Sequence, residues 1–189
     1  DLSNVQTLIL DEADRMLDMG FISDIELIIS KCHPNHQTLL FSATYNKGIK
    51  TLSSKYLSNP VEIAVAKDNT VAASVAQTFV HVDQNNKRDL LTQLIGLNNM
   101  HQVLVFTKTK FGADKLARAL SESGLPSVAM HGNKSQAQRT KALQKFKRGA
   151  ARIMVATDVA ARGLDIEKLP YVINFELPMV AEDYVHRIG

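Results

Sequence analysis

Tryptophan is absent from these 189 residues and cysteine occurs once, at Cys32. A lone thiol excludes an internal disulfide framework, fits a reducing compartment, and reads most simply as a small buried hydrophobe. His33 and His36 stand beside it, but no second Cys/His cluster at zinc-ligand spacing accompanies them, so a zinc site is not expected. No apolar run approaches the roughly 20 residues that cross a bilayer, and the opening DLSNVQ carries no basic-then-apolar signal; a cytoplasmic setting is the expectation. Aromatic residues make up 6% of the chain, which leaves little for a base-stacking surface, and Phe106 and Phe146 read as core. Also missing is the pattern G-x-x-x-x-G-K-[ST], the loop that cradles nucleotide phosphates. The sequence opens without Met and stops at HRIG inside an apparent helix, so it is read as a stretch of a longer protein.

What is present is a globular composition, 45% hydrophobic, with a net charge of +3. That charge alone is too small to argue for a nucleic-acid partner. Its distribution is more telling: residues 1–66 carry five Lys/Arg against eight Asp/Glu, net −3, and residues 67–189 carry seventeen against eleven, net +6. The later part offers a basic face that either binds phosphates or is simply solvated.

Along the chain, near-continuous apolar strands alternate with helical stretches. VQTLILD, a helical ADRMLDMGFISDIELIISKC, QTLLFSAT, a helical IKTLSSKYL and PVEIAV come first. The small, polar AKDNTVAASVAQ then reads as a linker. The alternation restarts with TFVHVD, a helix from Lys87, QVLVFT, a helix from Thr109, SVAMHG, a helix from Ser135, ARIMVAT, YVINFE and a helix from Val180. Strands of this kind, apolar on both faces, belong to parallel sheets covered by helices. The expected architecture is α/β, two parallel-sheet domains over residues 1–66 and 78–189, joined by a linker at 67–77.

Every cluster of polar residues follows the end of a strand, where ligands of open α/β sheets sit. The first is DEAD after LIL. Asp11 at a strand tip can hold Mg²⁺, directly or through water, and Glu12 can polarise an attacking water. The same acids could instead cap the next helix, where carboxylates favour the positive N-terminus. Ser42 and Thr44 of SAT each suit an N-cap. Lys141, Lys145, Lys147 and Arg148 read as a solvated face of one helix, with phosphate contact as the other reading.

Taken in order, LILDEADRMLDMGF, LLFSATYN, VLVFTKTK, HGNKSQAQR, IMVATDVAARGLDI, VINFELP and YVHRIG resemble the successive motifs of DEAD-box ATP-dependent RNA helicases over essentially the whole chain. The style is similar to the bacterial RhlE-type branch. The resemblance implies two RecA-like domains, the first truncated, with ATP and Mg²⁺ as cofactors and RNA as partner through sequence-nonspecific backbone contacts. It implies that Asp11 binds Mg²⁺ through water and that Glu12 activates the attacking water. Asp14 would link to the Ser42-Ala43-Thr44 motif and to His186. It further implies nucleotide contacts from Arg162, Gly163, Asp165 and Arg187, and RNA contacts from Thr107, Gln136, Arg139, Thr157 and Asp158.

In that family the phosphate loop lies upstream of DEAD, and the arginine fingers follow HRIG. The expectation is therefore an RNA-stimulated ATPase that separates short duplexes as a longer protein, with this stretch inactive alone. A non-catalytic helicase-like RNA-binding scaffold and a DNA helicase of the same superfamily are the competing readings. Intact Asp11, Glu12, Ser42, Thr44, Asp165 and His186 argue against the scaffold, and recognition of the 2′-hydroxyl would separate RNA from DNA.

Overall fold

A computed structural model describes residues 1–64, 75–161, 166 and 169–188. The chain divides into two compact units, Asp1–Thr70 and Val71–Gly189. Most of the expected linker lies outside the described residues.

In the first unit, β1 (Thr7–Leu10) and β2 (Gln37–Leu40) pair in parallel, with Thr7 opposite Gln37 and Leu10 opposite Leu40. Between them, the single helix expected over Ala13–Cys32 is two, α1 (Ala13–Asp18) and α2 (Ile22–Lys31). Gly20 makes the break: its φ is +77°, and its N–H turns back to the carbonyl of Leu17 at 2.9 Å. Glycine adopts that left-handed backbone without the Cβ clash that disfavours other residues. α3 (Lys47–Tyr56) is capped by the Asn46 side chain, which accepts from the Ile49 N–H at 3.0 Å. Ala13, Ile49 and Leu52 form the buried core of this unit, with Leu17, Leu40, Tyr45 and Tyr56 packed around them.

The second unit opens with a 3₁₀ turn at Gln84–Asn86. It continues through α4 (Lys87–Leu97), β3 (Val103–Phe106), α5 (Lys110–Glu122), β4 (Ser127–Met130) and α6 (Gln136–Lys147). β5 (Ile153–Ala156), α7 (Asp158–Ala161), β6 (Tyr171–Asn174) and α8 (Ala181–Ile188) complete it. The four strands form one parallel sheet in the order β4-β5-β3-β6. The central strands VLVF and IMVA are buried at every position, which is why they carry no polar alternation. Side chains of a strand alternate between the two faces of the sheet. Val103, Val105, Ile153 and Val155 accordingly pack with Leu91, Ile95, Leu116 and Leu120 in one core. Leu104, Phe106, Met154 and Ala156 pack with Met130, Ala142 and Phe146 in the other.

Two sequence expectations fail here. TFVHVD forms no strand; Phe79 and Val80 are 72% and 56% exposed. Among the described residues no neighbour offers that run a ladder, and alternation alone does not satisfy a strand's backbone groups. PVEIAV is likewise without regular structure over residues 60–64. The short α7 after β5 has no counterpart in the sequence reading.

Arg152, just before β5, closes the end of α4. Its guanidinium donates to the carbonyls of Met100 and Ile95, the latter at 3.0 Å. A cation there meets the unsatisfied carbonyls and negative pole of the helix end. Arg152→Ala is expected to cost about 2 kcal/mol by leaving those carbonyls unpaired, read as a lowered urea midpoint of the second unit. An unchanged midpoint would show that water replaces the guanidinium without loss.

Candidate functional site

β1 ends at Leu10, and the next three residues are shaped by their own backbone. Asp11 is exposed, and its Oδ1 accepts from the Glu12 N–H at 2.9 Å. Glu12 holds φ 50° and ψ 47°, the left-handed region, and its exposed side chain makes no capping hydrogen bond. A non-glycine residue there carries strain of about 1–3 kcal/mol. The helix-capping alternative for these acids is thus not what the side chain of Glu12 does. Among the described residues no protein donor reaches Asp11 Oδ2, and no group of three His, Cys, Asp or Glu side chains could hold a metal. One open carboxylate fits Mg²⁺, which keeps several waters and takes one or two carboxylates plus substrate phosphates.

Asp14 faces inward. It is 5% exposed, and its Oδ2 accepts from both the backbone N–H and the hydroxyl of Thr44, each at 3.0 Å. Ala13 N–H donates to the Phe41 carbonyl at 3.0 Å, so α1 begins against the end of β2. Ser42 does not reach the carboxylate; its hydroxyl donates to the Thr44 carbonyl at 2.7 Å and braces the turn. Asp14 and Thr44, thirty residues apart, are therefore one buried charge-assisted pair, and any movement of the Ser42–Thr44 turn is felt at the acidic segment.

In the second unit the polar clusters again follow the strands. Ser135 starts α6 with a capping box: its hydroxyl accepts from the Gln138 N–H, and the Gln138 side chain accepts from the Ser135 N–H. Gln136 is exposed and accepts from the partly exposed Arg139 at 3.4 Å. Both therefore stand at the positive end of a capped helix, a setting that suits a phosphate. Lys110 Nζ donates to Asn133 Oδ1 at 2.9 Å, tying α5 to the loop before α6. Lys141, Lys145, Lys147 and Arg148 are all exposed.

Three expected contact residues are placed otherwise. Thr107 is 1% exposed, with its hydroxyl donating to the Thr109 carbonyl, so it braces the start of α5 and presents no surface. Asp158 gives both carboxylate oxygens to Arg187, at 2.5 and 2.8 Å. Arg187, expected to face nucleotide, is 5% exposed and turned into its own unit. The physical reason is shared: a buried ionic group must be paired, and these two pair with each other. Thr157 is buried, and its carbonyl accepts from the N–H groups of Ala160 and Ala161 at the start of α7. His186 is partly buried on α8, next to Arg187. Arg162, Gly163 and Asp165 lie outside the described residues.

One cluster escaped the sequence reading. His131, 2% exposed at the end of β4, places Nε2 3.0 Å from Asp114 Oδ2 on α5, and Lys134 Nζ lies 2.8 Å from Oδ1. Burial pushes the Asp114 carboxyl up, but the Lys134 ammonium and the His131 ring beside it outweigh that and hold the group below its ordinary value. Below that ordinary value the unfolded chain takes up the proton first, so stability rises with pH there. The Asp114 contribution is complete above the unfolded value and disappears as pH falls through the folded one. Asp114→Asn is thus expected to lower the thermal midpoint at pH 7 and to flatten its dependence on pH below about 4. An equally steep acid limb in the variant would assign that limb to other carboxylates.

Comparison with known proteins matches this arrangement. The family model for the helicase conserved C-terminal domain covers residues 86–189. The chain belongs to that helicase family. The DEAD/DEAH box helicase model matches residues 1–52 of the same helicase chain. A curated DEAD-box ATP-dependent RNA helicase, CshA of Bacillus subtilis, is 45% identical over 188 residues, all of this chain and 38% of its own length. This helicase chain therefore spans well under half the length of that relative. Among solved structures, yeast Dbp5 bound to RNA and ADP BeF3 is similar with a TM-score of 0.87 at 28% identity, over 100% of this chain and 50% of the other. A DEAD box protein from Methanococcus jannaschii gives a TM-score of 0.59 at 43% identity, over 100% and 51%. The fold is that of DEAD-box helicases with RecA-like parallel sheets.

Proposed function

We propose that this chain is the central part of a DEAD-box ATP-dependent RNA helicase, a protein that hydrolyses ATP in response to RNA and uses the cycle to open short duplexes. The observation that carries the reading is the strained, uncapped Glu12 beside Asp11, backed by the buried Asp14–Thr44 pair. Asp11 would hold Mg²⁺, which would supply charge neutralisation at the phosphates. Glu12 accepts the proton of the attacking water. Asp14 and Thr44 pass the state of the acidic segment to the Ser42–Thr44 turn. Residues 1–66 are the C-terminal part of the first RecA-like, ATP-binding domain, 67–77 the linker and 78–189 the second RecA-like domain, cut near its end.

Gln136, Arg139 and the N-terminus of α6 take the RNA backbone, and backbone contacts confer affinity without reading sequence. Arg162, Gly163 and Asp165 contact the nucleotide, and His186 is the second domain's part in coupling the two events. The names of the curated relatives and the RNA and ADP BeF3 in the Dbp5 structure support this assignment. No described helix is long and apolar enough to cross a membrane.

The test is ATP hydrolysis by a protein that carries this stretch together with a phosphate loop. Turnover is expected to rise on adding single-stranded RNA and to respond far less to DNA of the same sequence. The 189 residues by themselves are expected to show none, because their sequence holds no G-x-x-x-x-G-K-[ST] phosphate loop. Equal stimulation by DNA, or none by RNA, overturns the proposal.

A further inference from the structure

Arg187 is heavily engaged within the second unit. Its Nε and Nη2 form a fork on Asp158 at 2.5 and 2.8 Å. Nη1 donates to Asn174 Oδ1 at 2.6 Å and to the Glu176 carbonyl at 2.7 Å. The guanidinium carbon stands 4.6 Å from the centre of the Phe106 ring. These partners come from the ends of three strands: Phe106 closes β3, Asp158 follows β5, Asn174 closes β6 and Glu176 follows it. Glu176 continues the chain of contacts, accepting from the Lys108 N–H at 2.8 Å through its Oε2. One side chain of α8 thus touches the carboxyl ends of β3, β5 and β6.

We infer that Arg187 is a positioning residue and not a nucleotide ligand: its guanidinium latches α8 to the Thr157–Asp158 segment, holding His186 and the RNA-facing strand ends in one register. The chemistry requires arginine. Only a planar guanidinium presents parallel N–H groups to a carboxylate, further donors to an amide and a carbonyl, and a flat face to an aromatic ring. A lysine ammonium keeps the charge but cannot hold that set together. Asp158, with both oxygens occupied, is the other half of the latch, which removes it from the RNA contacts. The RNA part of this inference rests on the function proposed above; the latch itself does not.

The experiment uses a protein that joins this stretch to a phosphate loop and its variant Arg187→Lys, with Asn174→Ala as a milder second variant that leaves no buried charge unpaired. Amide hydrogen exchange is followed over peptides covering β5–α7 and α8. Fluorescence anisotropy with a labelled oligouridine RNA and with a fluorescent ATP analogue reports binding. In Arg187→Lys, exchange in those two segments is expected to accelerate at least tenfold while α4, α5 and α6 are unchanged. RNA affinity should fall about fivefold or more and analogue affinity by less than twofold. Asn174→Ala should show the same pattern at smaller amplitude. If exchange is unchanged and analogue binding falls instead, Arg187 is a nucleotide ligand and the inference is overturned. Uniform acceleration across the unit in both variants also overturns it, because the residue would then be ordinary core. Local loosening in a chain that binds no RNA supports the latch and rejects the RNA reading.

Discussion

Glu12→Gln, in a protein joining this stretch to a phosphate loop, lowers the rate of ATP hydrolysis by about 10²- to 10⁴-fold, the usual contribution of a positioned general base. RNA affinity and the unfolding midpoint stay near wild type. Glutamine matches glutamate in size and suits the same left-handed backbone, so φ 50° is retained, while an amide cannot take the proton of water. The exposure of Glu12 and its lack of a capping bond mean that no structural hydrogen bond is lost with the charge. Turnover measured with saturating RNA decides the matter. A loss below tenfold would show that Glu12 is not the base. A parallel fall in the unfolding midpoint would assign it a structural role.

Phe146→Ala destabilises the second unit by about 4 kcal/mol, within the range for truncating a buried aromatic residue. Phe146 has 0% exposure and sits with Leu104, Met130, Ala142 and Met154 in the core beneath α6. Its removal leaves a cavity that the sheet cannot close, because β3 and β5 are fixed by ladders on both edges. The consequence extends to function, since α6 carries Gln136 and Arg139 and has only its buried side to hold it against the sheet. Urea unfolding followed by circular dichroism gives the stability change. Phe146→Leu, which fills most of the volume, should recover more than half of it. A cost below 1 kcal/mol in Phe146→Ala would mean that α6 is anchored elsewhere.

The sheet strands were legible because VLVF and IMVA are apolar at consecutive positions and lie between helical stretches with good caps. Thr109 and Ser135 cap the helices read from those positions, whereas the helix read from Ile49 starts at Lys47 and is capped by Asn46 and not by Ser42 or Thr44. The two-helix break at Gly20 was missed because an isolated glycine is tolerated inside a helical pattern, and only its φ of +77° shows that it ends one. TFVHVD misled for the converse reason: alternation marks a strand's faces, but a ladder needs a partner. At the candidate site, Asp11, Glu12 and Asp14 could be placed from local order and the resemblance. Asp14 and Thr44 then met as expected, because each follows the tip of one of two paired strands.

The sequence by itself determined the α/β alternation, the helix starts at Thr109 and Ser135, the acidic segment after β1 and the motif order that shows the family. Those are local or linear properties, set by propensity, periodicity and spacing. Tertiary structure alone decided which charged groups are spent on one another. Asp158 and Arg187 are 29 residues apart, and nothing in their flanks announces that they pair. Asp114, His131 and Lys134 likewise meet only because α5 returns alongside β4. Burial makes an ionic group find a partner, and the identity of that partner depends on which strand ends the sheet order brings together.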